Sequence, residues 1–295
     1  PSRMAEVLNR VIEKAFRGSA PAQINVPRDY WTQVIDIELP PIVRFERQGG
    51  GKEAIESAAK LLSKAKFPVI LSGAGVVLGG AIDECKQLAE KLDTPVCNGY
   101  QHNDSFPGSH PLAVGPLGYN GSKAAMELIS KADVVLALGT RLNPFSTLPG
   151  YGIDYWPKKA TIIQVDMNPD RIGLTKKVSV GICGDAKQVA QQILDKLSSD
   201  AGNTGREERK NLIHKTKSAW LQTLSGLDHE EDDPGTVWNK EARERDKDRM
   251  SPRQAWRAIQ DALPQDAIIS SDIGNNCAIG NAYPTFEKPR KYLAP

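Results

Sequence analysis

Cysteine is scarce. The four in the chain, Cys85, Cys97, Cys183 and Cys277, stand far apart. That spacing excludes a disulfide scaffold and offers no C-x-x-C pair for a zinc knuckle. A reducing cytoplasm is the expectation that follows. One-signed charge is also missing: 38 Lys and Arg against 36 Asp and Glu leave a formal +2. The basic residues are scattered, so nothing resembles the stripe of a nucleic-acid binder. No apolar run approaches the roughly 18 residues of a membrane span, and no signal-peptide core opens the chain. Neither nucleic acid nor membrane is expected as a partner. The chain begins at Pro1 without Met and closes at "KPRKYLAP". That ending follows a strand-and-turn pattern with nothing evident to pair with, and both ends read as cuts.

What is present is alternation. The length, 295 residues, suits about two domains. Met4, Val7, Leu8, Val11 and Ala15 share a helical face, and "AQINVP", stopped by Pro27, reads as a buried strand. "PPIVRFERQGGG" reads as a linker. Then Ile55, Ala58, Ala59 and Leu62 mark a helix, "PVILSG" a strand, and Ile82, Cys85, Ala89 and Leu92 a helix. "TPVCN" follows as a strand, Ala125, Leu128, Ile129 and Ala132 as a helix, and "DVVLALG" as a strand. "ATIIQVDMNP" is another strand, and Val189, Ile193 and Leu197 face inward from a further helix. Strands apolar on both faces, each separated from the next by a helix, predict an α/β fold: a central, doubly wound parallel sheet covered by helices.

After Leu197 the chain turns polar. "SSDAGNTGREERKNLIHKTKSAW" and "HEEDDPGTVWNKEARERDKDRM" have few residues for a core and read as a solvated connection. Order returns at "SPRQAWRAIQDALP", with Ser251 as N-cap, Pro252 in the first turn and Trp256, Ile259 and Leu263 on one face. "DAIISSDIGNN" supplies a strand and a turn.

Three strand ends carry ligand-binding residue types. Gly73 and Gly75 in "SGAGVVLGGA" permit close backbone approach before a helix, Arg141 in "LGTRLNP" can fork onto a phosphate, and Asp166 in "VDMNPD" suits a ribose hydroxyl pair. Each has a plainer reading. Leu78 stands where G-x-G-x-x-G requires glycine, so the first turn alone is more often a tight strand-to-helix turn; Arg141 alone is a surface ion pair, and Asp166 alone a helix cap.

The blocks "PAQINVPRD", "KFPVILSGAGVVLGGA", "GYNGSKAAMELISKADVVLALGTRLN", "ATIIQVDMNPDRIG", "VGICGDAKQV" and "SPRQAWRAIQDALPQDAIISSDIGNN" cover nearly the whole chain. In that order they resemble the thiamine-diphosphate-dependent enzymes of the acetolactate synthase type. "ISSDIGNNCAIGNAYPTFEKPRKYLAP" is similar to the branch of that superfamily acting on sulfoacetaldehyde. The resemblance implies that residues 1–45 are the tail of a pyrimidine-binding domain and 49–197 a central domain. It makes 198–250 a charged linker and 251–295 the start of a diphosphate-binding domain.

It further implies that the catalytic glutamate and the Mg²⁺-binding motif lie outside this chain, so no catalytic residue and no metal ligand is expected within it. Gly274, Asn275 and Asn276 are the implied thiamine diphosphate contacts, the two asparagines departing from the commoner Gly-Gln-His. In relatives that bind FAD or ADP, the nucleotide is held by residues matching Gly73, Gly75, Tyr119, Asn120, Gly139, Thr140, Arg141, Asp166, Asp185 and Ala186. The implied substrates are sulfoacetaldehyde and phosphate, the products acetyl phosphate and sulfite, and the assembly a homodimer or homotetramer. His102 and His110 fall in a loop near the implied active-site mouth and are expected to have ordinary loop roles. The competing readings are an acetolactate synthase-like enzyme acting on pyruvate, a sirtuin-like deacylase and a non-catalytic nucleotide-binding module.

Overall fold

A computed structural model describes residues 2–18, 20–41, 46–227, 249–250 and 252–294. The chain divides into two compact units, residues 1–47 and 48–295. Ser251 and most of the charged run after residue 227 lie outside the described residues, as do residues 42–45 of the expected linker.

In the first unit α1 (Met4–Gly18) forms as its periodicity predicts, with none of its residues buried. The strand expected at Ala22–Pro27 does not form. Those residues lie extended without a ladder, and the next element is a 3-10 turn, Arg28–Thr32. A strand exists only where a neighbour takes up its backbone groups, and among the described residues of this unit there is none.

The second unit is built on a six-stranded parallel sheet in the order β3-β2-β1-β4-β5-β6. The strands are β1 (Pro68–Ser72), β2 (Val96–Asn98), β3 (Ala113–Pro116), β4 (Val134–Leu138), β5 (Thr161–Asp166) and β6 (Val180–Cys183). β1 and β4 are buried throughout, as their unbroken apolar runs require. The helices are α2 (Lys52–Lys64), α3 (Ala74–Gly79), α4 (Ile82–Leu92), α5 (Lys123–Ile129), α6 (Ala186–Lys196) and α7 (Arg206–Leu227). The chain winds outward from β1 to β3, then returns to place β4 against the other side of β1. Right-handed crossovers in opposite directions put α4 and α5 on opposite faces. Accordingly α2 and α4 pack on α6, while α5 packs on α7. The reversal between β1 and β4 is the switch point where open sheets of this order hold ligands.

α2 buries Ile55, Ala58, Ala59 and Leu62, the face expected of it, and α6 buries Val189 and Ile193. β3 and β6 were not anticipated as strands. Both are sheet edges, four residues long and interrupted by Gly115 or Gly181, and half-paired strands of that kind carry a weak apolar signal.

The polar stretch after Leu197 is not all a solvated connection. Residues 206–227 form α7, which buries Ile213, Trp220 and Leu224 along with Arg209. Arg209 donates five hydrogen bonds to main-chain oxygens: Nε to Asp93, Nη1 to Lys66 and Thr204, and Nη2 to Leu92 and Gly202, all within 2.6–2.8 Å. A charge that reads as solvent-facing here closes the open ends of β1 and α4.

Beyond α7 come α8 (Pro252–Ala262), β7 (Ile269–Ser270), α9 (Asn275–Gly280) and β8 (Tyr292–Leu293). The terminal strand pattern does find a partner: β7 pairs in parallel with β8, Ile269 opposite Tyr292 and Ser270 opposite Leu293. Among the described residues no helix is long and apolar enough to cross a membrane.

Candidate functional site

The switch point gathers Gly73, Gly75, Gly139, Thr140 and Arg141. Their contacts explain the glycines without a ligand. Gly73 donates its amide to Leu138 O at 3.1 Å and Gly75 to Gly139 O at 2.8 Å, while Val76 donates to Gly73 O at 3.0 Å. A Cβ on Gly73 would lie 2.5 Å from Thr140 Cβ, and one on Gly75 would lie 2.6 Å from Gly139 Cα. Gly139 itself sits at φ +62° against Gly75. The two turns therefore interlock backbone to backbone. The amides a phosphate would need are engaged by the neighbouring strand end.

Thr140, Asp166 and Asp185 among the other nucleotide candidates are similarly engaged. Thr140 accepts Leu142 N at its Oγ1 and Gln164 Nε2 at its carbonyl. Asp166 Oδ1 accepts Asn168 N at 2.8 Å, closing its own turn. Asp185 caps α6, accepting from Lys187 N and Gln188 N, with Ala186 buried beneath it. Tyr119 is half exposed and Asn120 has φ +52° in the loop after β3. Arg141 is exposed and stands near His102.

His102 comes into the crevice, 3.6 Å from where a Gly99 Cβ would be. Burial pushes its imidazole pKa below the ordinary value; Asp104 opposes this and Arg141 adds to it. His110 has the loop role expected. Its Nδ1 accepts Leu112 N at 3.2 Å, which leaves Nε2 to donate to Glu90 at 3.2 Å, and Phe106 lies edge-on to the ring. The four cysteines are free, three of them buried. Burial pushes the Cys85 thiol up to about 12 and Cys97 further up, so both are inert core groups.

A second cluster surrounds α9. Gly274 opens it at φ +138°, with nothing within 4 Å of where a Cβ would stand, and Asn275 and Asn276 are exposed. The free first-turn amides of a helix and two carboxamides suit an anionic oxygen. Asp272 turns its carboxylate back onto Ile273 N at 2.7 Å. Trp256 of α8 donates Nε1 to Asn276 O at 3.1 Å, and its ring packs on Gly280.

On the other side the loop after β2 reaches α9. Gln101 Nε2 and Tyr100 Oη meet Cys277 Sγ, and Gln101 N donates to Asn281 Oδ1 at 3.2 Å. Asn103 Nδ2 donates to Asn281 O and Pro284 O, both at 2.9 Å. Asp104 Oδ2 accepts Lys291 N at 3.0 Å. Sequence reasoning singled out none of Gln101, Asn103, Cys277 and Asn281 as a site residue. Their only sequence signal is polar side chains in Gly-flanked loops, which solvated turns share.

Residues 55–193 match the family described as "Thiamine pyrophosphate enzyme, central domain". The match runs from within α2 to the last turns of α6. The whole chain is 78% identical over 295 residues to a "Probable sulfoacetaldehyde acetyltransferase" of Rhizobium meliloti (strain 1021), covering 50% of that protein. It is 76% identical, again over its full length, to the "Sulfoacetaldehyde acetyltransferase" of Roseovarius nubinhibens, covering 49% of it. A "Probable acetolactate synthase large subunit" of Methanocaldococcus jannaschii is 30% identical over 308 aligned residues, the chain covering 48% of that protein. The chain thus spans about half the length of the curated relatives it matches. The matched residues contain the six-stranded sheet with its switch point. The α9 turn lies beyond the matched residues, yet the loop after β2, which lies within them, holds it.

Proposed function

We propose that this chain serves in a thiamine-diphosphate-dependent acetyltransferase that converts sulfoacetaldehyde and phosphate to acetyl phosphate and sulfite. The observation that carries the reading is identity of 78% and 76%, over all 295 residues, to two proteins bearing that name. The acetolactate synthase relative stands at 30%, which favours sulfoacetaldehyde over pyruvate as donor. On this reading residues 1–45 belong to the pyrimidine-binding domain, 49–197 to the central domain and 251–295 to the diphosphate-binding domain.

When bound, thiamine diphosphate supplies a nucleophilic carbon and a ring that absorbs the electron pair left after attack on the aldehyde. This chain's part is binding and orientation. Gly274, at a positive φ with open space above it, lets the turn approach a diphosphate closely. The carboxamides of the exposed Asn275 and Asn276 would hold its oxygens. Mg²⁺ would be held by residues outside this chain, and a homodimer or homotetramer is the proposed assembly. The interlocked turns at Gly73 and Gly139 support reading the switch point as a structural joint.

The experiment uses the full-length enzyme with thiamine diphosphate, Mg²⁺, phosphate and sulfoacetaldehyde, following sulfite and acetyl phosphate together. Equimolar appearance of both is expected. Consumption of pyruvate, with neither product formed from sulfoacetaldehyde, would overturn the donor assignment.

A further inference from the structure

We infer that the loop from Gly99 to Asn103 is a positioning device for the cofactor turn: Gln101 and Asn103, acting through Cys277 and Asn281, fix where Gly274–Asn276 stand. This rests on the proposed role of those three residues as diphosphate contacts.

α9 is six residues long, too short to hold its own shape in water. Its place must therefore be set by what packs on it. One flank is held by α8, through the Trp256 bond to Asn276 O and the indole face on Gly280. The other is held by the central domain. Cys277, one residue past Asn276, is buried under the Tyr100 hydroxyl and the Gln101 carboxamide.

Asn281, just past the helix, is fully buried with its carboxamide satisfied at both ends. Its Oδ1 accepts Gln101 N, its Nδ2 donates to Leu117 O at 3.5 Å and Tyr119 O at 3.4 Å, and its main-chain oxygen accepts Asn103 Nδ2. Gln101 reaches it from a left-handed backbone, φ +61°, which a residue with a Cβ holds only when its surroundings impose it. The buried end of α9 is therefore bolted to the sheet, while the end bearing the exposed asparagines stays open. A shift of the loop moves the donors with it. Tight polar support behind a binding group is worth roughly tenfold or more in affinity at comparable sites.

The test uses the full-length enzyme and reads thiamine diphosphate affinity by calorimetry in Mg²⁺, alongside the melting temperature without cofactor. Gln101→Gly keeps the backbone geometry and the amide to Asn281 but removes the carboxamide on Cys277. Asn281→Ala removes the bolt. Asp185→Ala, which removes the cap of α6 on the side of the sheet away from α7, is the control for general destabilisation. Both loop-side variants are expected to weaken the cofactor, Asn281→Ala by roughly tenfold, beyond what the control shows at equal loss of melting temperature. Gln101→Asn, which tolerates the left-handed backbone and keeps a carboxamide, is expected to recover part of the affinity.

Wild-type affinity in both loop-side variants, or losses no larger than the control's, would overturn the inference. If Asn281→Ala does not fold, Gln101→Gly decides alone. A wild-type enzyme that binds the cofactor but releases no sulfite defeats only the proposed reaction. One that binds no thiamine diphosphate defeats the reaction and this inference together.

Discussion

Gly75 and Gly80 lie in one turn and are glycines for different reasons. A Cβ on Gly75 would meet Gly139 Cα at 2.6 Å and its carbonyl oxygen at 3.0 Å, both backbone atoms that cannot swing away. Gly75→Ala is expected to lower unfolding stability by about 3 kcal/mol, as overpacking at a rigid contact does. At Gly80 nothing lies within 4 Å, and only the left-handed φ of +66° resists a side chain, so Gly80→Ala should lower it by about 1 kcal/mol. Urea denaturation of the two variants reads the contrast directly, and equal losses would mean the turns do not interlock. His102 supplies a pH test. Its pKa is lower folded than unfolded, so the unfolded chain takes up more protons as pH falls. Stability from this group is complete above its ordinary value near 6.5 and is lost on acidification through the folded value. His102→Gln should flatten the fall in denaturation midpoint between pH 7 and 5 relative to the parent chain. An unchanged slope would assign that fall to other groups.

Two helices are anchored by single polar residues, and their variants should differ in reach. Asp185 accepts the Lys187 and Gln188 amides at the start of α6. Asp185→Ala is expected to reduce stability by about 1 kcal/mol and Asp185→Ser to restore most of it, because serine also caps. A thermal melt of each checks this, and an equally damaged serine variant would show that capping is not the role. Arg209 binds α7 to the ends of β1 and α4 through the carbonyl oxygens of Lys66, Leu92 and Asp93, and to its own leading loop through those of Gly202 and Thr204. Lysine cannot reproduce that fork, so Arg209→Lys should speed hydrogen exchange along α7 well before it does so in β1 and β4. Here the sequence was legible only in part. The 3.6-residue periods of α2, α4 and α6 are plain, but α7 hides its inward residues among charges, and one of those inward residues is itself charged.

At the scale of the whole molecule, buried residues from Ile55 to Ile213 form one core that runs through β1, β4 and β5, and Ala124, Trp220, Leu224 and Tyr283 form a second, smaller cluster, whereas α1 in the other unit buries none of its residues. An isolated helix of that length is marginal in water. In this 295-residue chain the α1 amides should therefore exchange orders of magnitude faster than those of β1 and β4, measured by mass spectrometry at neutral pH. Protection of α1 equal to that of the sheet would mean that it is held by packing.

The sequence by itself determined the α/β class, the inner strands β1, β4 and β5 and the helices that cover them, because burial on one or both faces imposes a period that adjacent residues carry. It also placed Gly73, Gly139 and Arg141 at strand ends, and the family match to 55–193 agrees with the resemblance those blocks show. Only the tertiary structure decided what the glycines are for, which strands form the edges, that β7 pairs with β8, and that the loop after β2 grips α9. Gln101 and Asn281 lie 180 residues apart, as do many of the other partners that matter here. Period and composition report a residue's immediate surroundings; a hydrogen bond between distant loops exists only once the sheet has brought both ends to the same edge.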